Sequence, residues 1–226
     1  MIISEMQHKL ATWAAADQTR RFDRLLRLIT DRNWRAEAAR IVLASKGANT
    51  PGLDGMDKRR LAVDLQRHLD RLRVALLDGT YRPTPVKRIH IPKANGKLRP
   101  LGIPILLDRI VQRAMLMAME PIWESDFHSG SYGFRPERSV HHAVRTVRMQ
   151  LQDGSDSKGR WIIEGDLASY FDTVHHRLRA GCSGNRGRDL AWWRTDFGAV
   201  FQFRRVSAAA AAATRRRLVR WWLVWQ

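Results

Sequence analysis

Apolar residues recur at helical spacing between positions 7 and 45: Leu10, Trp13, Phe22, Leu25, Leu26, Ile29, Trp34, Ala38, Ile41 and Val42. Arginines 20, 21, 24, 27, 32, 35 and 40 interleave with them. The pattern predicts two amphipathic helices with a break near Asp31-Arg32-Asn33. Turn formers then dominate Asn49-Thr50-Pro51-Gly52-Leu53-Asp54-Gly55, a loop by composition. A leucine stripe (Leu61, Leu65, Leu69, Leu72, Leu76, Leu77) predicts one helix over 56–77, stopped by Asp78-Gly79. The period then changes. Val86 to Pro92 alternates polar and apolar as a half-buried strand does, Asn95-Gly96 signals a turn, and 98–104 returns as the partner strand. Helical spacing resumes over 108–124 and over 139–151, separated by the glycine- and aromatic-containing loop 129–136. After a polar connector at 152–159, Trp161-Ile162-Ile163 reads as a buried strand that runs into Asp166 and then Tyr170-Phe171. The fold class expected is α+β, with helices around a hairpin.

Charge narrows the partners. The 226 residues carry a formal net charge of +18 and a pI near 11.4, which points to a polyanion, most simply RNA or DNA. Arginine outnumbers lysine 33 to 7, which suits bidentate phosphate recognition but also follows from a GC-rich genome. The single cysteine, Cys182, excludes a disulfide framework and a multi-cysteine zinc site, and a reducing compartment is expected. The first ten residues lack the apolar run of a secretory signal, and no stretch has the roughly 20 apolar residues that span a bilayer.

Three places hold candidate chemistry. Asp166, at a strand tip on so basic a chain, is either a helix cap or a magnesium ligand facing phosphates. Lys87, Lys93, Lys97 and Arg99 lie on or near one hairpin. They are either solvated edge cations or a clamp gripping a polyphosphate from two arms. Tyr132 and Phe134, set between glycines, are either a packed corner or a surface on which bases stack. The basic N-terminal helices are either a solvated face or an RNA contact.

Three stretches together resemble the reverse transcriptases encoded by bacterial group II introns, which double as maturases. They are YRPTPVKRIHIPKANGKLRPLGIPILLDRIVQRAM (81–115), EPIWESDFHSGSYGFRPERSVHHAV (120–144) and WIIEGDLASYFDTVHHRL (161–178). TPGLDG (50–55) and the helices before it look like that family's N-terminal extension, so the likeness covers about 1–178. It implies a right-hand polymerase: an N-terminal helical extension (1–55), fingers (56–160) with the hairpin, and the start of the palm (161–178). It also implies RNA-directed DNA synthesis from dNTPs on an RNA template with a DNA primer or target, in the bacterial cytoplasm. By position, Asp166 matches the first catalytic aspartate, binding two Mg²⁺ ions with the backbone carbonyl of Leu167 as a further ligand. Phe171 matches the aromatic gate against a ribose 2′-OH. Viral RNA-dependent RNA polymerases usually pair two aspartates five apart at the corresponding place, so Phe171 favours DNA as product. Lys93 and Arg99 match triphosphate ligands, Lys87 sits where a third cation is expected, and the segment around Tyr132, Phe134 and Arg135 resembles the stretch that tracks the template.

After Leu178 the pattern changes. Residues 179–226 hold five of the nine tryptophans, a run of six alanines and only two acids, Asp189 and Asp196. The expectation is either coding sequence read out of frame or a divergent irregular or helical tail. No adjacent Asp-Asp pair occurs in the 226 residues. Two-metal catalysis draws carboxylates from two strands, so this polypeptide alone is expected to be inactive. The competing functions are a non-catalytic basic module that holds intron RNA and, fitting the charge but not the motifs, an unrelated basic structural protein.

Overall fold

The computed structural model describes residues 2–152 apart from 93, 95 and 97; the expected palm strand with Asp166, Leu167 and Phe171, and the tail, lie outside the described residues, as does Lys93. The described part is helical with one two-stranded antiparallel sheet.

The N-terminal region forms three helices where two are expected: α1 (Ile3–Ala16), α2 (Leu25–Ile29) and α3 (Arg32–Ala44). The break at Asp31 is where the sequence puts it. The Asp31 side chain accepts from the backbone N–H of Asn33 (2.9 Å) and Trp34 (3.1 Å), capping α3. The second break follows from Asp17, whose carboxylate accepts from both the N–H and the hydroxyl of Thr19 (2.7 and 2.6 Å). Such local bonding competes with the helix and ends α1. A 3-10 turn at Lys46–Asn49 follows. The predicted single helix over 56–77 is likewise two, α4 (Lys58–Val63), capped by Asp57, and α5 (Leu65–Leu77). They part at Asp64, a residue type that disfavours helix interiors, here at φ −124° and ψ 32°.

Strands β1 (Lys87–Pro92) and β2 (Leu98–Ile103) pair from Lys87↔Ile103 to Pro92↔Leu98, so the expected hairpin forms, and Gly96 in its turn has φ +76°. Gly102 makes a close approach: a Cβ there would stand 2.9 Å from Val86 Cγ2, so that exposed side chain would have to shift. Helices α6 (Leu106–Glu124) and α7 (Val140–Gln152) match the expected spans to within two residues.

α6 is the axis of the core. Its Ile110, Val111, Ala114, Met115, Met117, Ala118, Met119 and Ile122 are buried, and α1, α2 and α3 pack on it. Two side chains fasten that packing to the α6 backbone. Trp34 Nε1 donates to the Ala114 carbonyl at 2.8 Å. Pro121 has no N–H for the carbonyl four residues earlier, Met117, and Gln7 Nε2 donates to that oxygen at 3.0 Å. No described helix is long and apolar enough to cross a membrane.

Candidate nucleotide and nucleic-acid site

The hairpin register fixes which cations share a face. Side chains alternate along each strand, and cross-strand partners point the same way. Lys87, Ile89 and Ile91 therefore lie on one face with Arg99, Leu101 and Ile103, while Arg88 and His90 lie on the other with Pro100 and Gly102. Lys87 and Arg99 sit on that common face, four positions apart along the ladder, roughly 13 Å at ~3.4 Å per residue. Lys87 is exposed and Arg99 half-buried. Ile103 at the base is buried, whereas Ile91 and Leu98 at the far end are exposed, so the hairpin leaves the helical core by its tip.

The base of the hairpin is held by a buried carboxylate that the sequence pattern assigned only to a helix. Asp108, 2% exposed, accepts from the Tyr81 hydroxyl (2.5 Å) and from the Thr84 N–H (2.9 Å). Tyr81 and Thr84 precede β1 and Asp108 opens α6, so the carboxylate locks the approach to one strand onto the helix that follows the other. Burial pushes the Asp108 carboxyl up, against the hydrogen bonds from Tyr81 and Thr84. Burial also pushes the Tyr81 phenol up, with Asp108 adding to it. Because the folded pKa of Asp108 is raised, the folded chain binds more protons than the unfolded chain between the two values. This group's contribution is thus greatest below the ordinary carboxylate range and falls as pH rises through the shifted pKa. Tyr81→Phe removes a bond that holds the shifted pKa down. It is expected to cost about 1–3 kcal/mol near neutral pH, with a smaller loss in acid. Urea unfolding at a series of pH values checks both parts; a loss independent of pH would refute the assignment.

The loop before α4 is tied to the same helix. Arg109 donates to the carbonyls of Pro104 (2.9 Å), Gly47 (2.7 Å) and Thr50 (2.8 Å). A Cβ on Gly52 would stand 2.7 Å from Ile105 Cα and 2.8 Å from its nitrogen, so only glycine lets the loop lie against the start of α6. Gly55 has φ +65°, the left-handed region. Both glycines of TPGLDG thus have a backbone reason.

In the loop between α6 and α7 the three candidate template residues divide. The Tyr132 hydroxyl and the Thr146 hydroxyl share a hydrogen bond (2.7 Å), and the Arg138 guanidinium lies 5.4 Å from the Tyr132 ring centre. Phe134 is 73% exposed at φ 56°, a conformation that bulky residues seldom adopt. Arg135 points inward instead. Its guanidinium meets the Glu124 carboxylate at 2.6–3.2 Å, donates to the carbonyls of His128 and Ser131 (both 2.9 Å), and lies 4.9 Å over the Phe127 ring. Phe134 is the accessible one, Tyr132 is half-buried, and Arg135 shapes the loop that carries both. Asp108, Arg109 and Glu124 escaped the sequence reading because each lies within a helical pattern, where nothing marks a residue as a tie to a distant loop.

Among the described residues no three His, Cys, Asp or Glu side chains gather as a metal site would need.

Residues 91–200 match the family described as reverse transcriptase (RNA-dependent DNA polymerase), so the match runs past residue 178. The chain is 70% identical over 197 residues to Protein YkfC of Escherichia coli (strain K12), covering 85% of this chain and 52% of that protein. It is 34% identical over 175 residues to the group II intron-encoded protein LtrA of Lactococcus lactis subsp. cremoris, covering 75% of this chain and 27% of that one. It is 40% identical over 79 residues to Nuclear intron maturase 1, mitochondrial, of Arabidopsis thaliana, covering 35% and 10% respectively. The chain spans about half the length of the first of these relatives and about a quarter of the second.

Proposed function

Because this chain belongs to the group II intron-encoded reverse transcriptase and maturase family, we propose that it is a part of an RNA-directed DNA polymerase that binds intron RNA, a DNA primer or target, and dNTPs. Residues 1–55 serve as the N-terminal extension, 56–160 as fingers and 161–178 as the start of the palm. The observation that carries this reading is the hairpin register, which puts Lys87 and Arg99 on one face. Two cations there neutralise and orient a triphosphate, which is most of what phosphoryl transfer asks of a protein. Lys93 completes the clamp, Phe171 excludes a 2′-OH, and Tyr132 and Phe134 meet the template while Arg135 holds their loop.

Asp166 and the Leu167 carbonyl are hard oxygen donors of the kind Mg²⁺ takes, and would hold it. Bound there, Mg²⁺ supplies charge neutralisation at the reacting phosphates. The 226 residues contain no Asp-Asp pair to add carboxylates from a second strand. That favours a second reading for this polypeptide alone, a non-catalytic module that holds intron RNA. The tail after about residue 178 is read as coding sequence out of frame, the alternative being a divergent tail with its own role; the nucleotide sequence of the locus tests it.

The two readings separate in one set of assays. The purified polypeptide is expected to give no primer extension on an RNA template, yet to crosslink a photoreactive dNTP. Lys87→Gln and Arg99→Gln are expected to reduce the crosslink severalfold. A chain that binds RNA but never crosslinks the nucleotide is the non-catalytic module. Primer extension abolished by Asp166→Ala would instead make it a working polymerase.

A further inference from the structure

The hairpin has no packing floor. Apart from Ile103 its strand residues are exposed or half-buried, and among the described residues neither strand packs broadly on a helix. A lone two-stranded sheet is marginally stable in water and has no buried face to fix its direction. Its direction is therefore set at its base, where two consecutive residues in the first turn of α6 hold one arm each. Asp108 takes the entry to β1: one carboxylate oxygen accepts from the Tyr81 hydroxyl and the other from the Thr84 N–H. Arg109 takes the exit from β2, its Nε donating to the Pro104 carbonyl. An acid in the first turn of a helix commonly serves that helix's own free N–H groups. Asp108 gives both oxygens to the chain before β1 instead. It does so almost fully buried, where a carboxylate is a costly way to gain stability. The helix that carries it is the axis of the core, so the anchor stands on buried structure.

We propose that Asp108 is a positioning residue for the nucleotide clamp: its two-point hold on Tyr81 and Thr84 aims the hairpin so that Lys87 and Arg99 reach one triphosphate. The proposal rests on the clamp reading given above. Thr84 lies three residues before Lys87, and Arg99 lies four ladder positions beyond it. A tilt of about 10° at the base would carry the Arg99 position roughly 2 Å at the end of that ~13 Å arm. A misplacement of about 1 Å in a positioned group can cost on the order of 10²-fold. The two bonds to Asp108 do different jobs. The Thr84 bond holds main chain close to Lys87 and sets direction, whereas the Tyr81 bond closes a buried side-chain pair and adds stability. Arg109 cannot isolate the effect, because its guanidinium also holds Gly47 and Thr50.

The test is saturation of the full chain with a photoreactive dNTP. The half-saturating concentration is read separately from the maximal crosslink yield, with the melting temperature of each variant alongside. Asp108→Ala loses both bonds and is expected to raise the half-saturating concentration about tenfold. Asp108→Asn is expected to stay within about twofold of the parent, because the amide oxygen still accepts from the Thr84 N–H and the amide NH₂ donates to the Tyr81 hydroxyl. Tyr81→Phe keeps the Thr84 bond and should also stay near the parent value, although it lowers stability. Clamp strength then follows the Thr84 bond and not the melting temperature. If Asp108→Ala does not fold, Asp108→Glu decides: it keeps the carboxylate, lengthens the arm by a methylene and should raise the half-saturating concentration all the same. An unchanged half-saturating concentration in the deciding variant, or one that moves in step with melting temperature through Tyr81→Phe, would overturn the positioning role. The crosslink and its loss in Lys87→Gln, and with them the clamp reading, would then stand. A parent that never crosslinks the nucleotide would overturn the clamp and the role of Asp108 together.

Discussion

Trp34→Ala is expected to cost about 3–5 kcal/mol of folding stability, the range for emptying a large aromatic from a closed core. Trp34 is fully buried on α3, and it also donates to the Ala114 carbonyl of α6 at 2.8 Å. The contact ties the N-terminal region to the helix whose start carries Asp108 and Arg109, and through them the hairpin base and the TPGLDG loop. The damage therefore reaches the hairpin without touching it. Trp34→Phe keeps most of the volume and gives up the indole N–H, so its cost should be much smaller, about 1–2 kcal/mol. Denaturant unfolding of the three proteins checks the order. Nucleotide crosslinking at the hairpin should fall with the folded fraction and no further. A Trp34→Ala protein as stable as the parent would mean that α3 and α6 are not packed as described here.

That coupling shows where sequence was informative and where it was not. The hairpin was legible because alternation, the Asn95-Gly96 turn and the return strand are local signals that agree. α6 and α7 were legible because long apolar stripes override small uncertainties at their ends. The breaks at 17–24 and at Asp64 were not legible from periodicity, which reports the buried face and is indifferent to a side chain that captures the backbone locally. Of the candidate site, the sequence placed Lys87 and Arg99 on one hairpin, and the register then set them on one face. Burial was the missing quantity elsewhere. Asp108 reads as an ordinary helical acid, and Arg135 as one more cation on a basic chain. Only packing reveals that the first anchors the hairpin and the second faces inward.

Arg135→Ala is the sharper test of that distinction, with an expected cost of about 2–3 kcal/mol. Removing one partner of a buried ion pair typically costs ~3–5 kcal/mol. Glu124 keeps 30% of its side chain in water, which discounts the figure. The carbonyls of His128 and Ser131 each lose one of two donors, keeping the Ser131 N–H and Arg138 respectively, and Phe127 loses the cation above its ring. Arg135→Lys should not rescue, because an ammonium cannot reproduce the fork that serves a carboxylate and two carbonyls together. Glu124→Gln should cost less than either, since an amide still accepts from the guanidinium. Phe134 at φ 56° and Glu137 at φ 58° are unfavourable conformations that the loop keeps only while Arg135 holds it from below. Once released, the loop should become a preferred site of limited proteolysis, and crosslinks from Phe134 to bound RNA should fall even at temperatures where the core remains folded. If Arg135 instead met the template directly, Arg135→Ala would weaken RNA binding and its salt dependence while leaving stability and proteolysis unchanged.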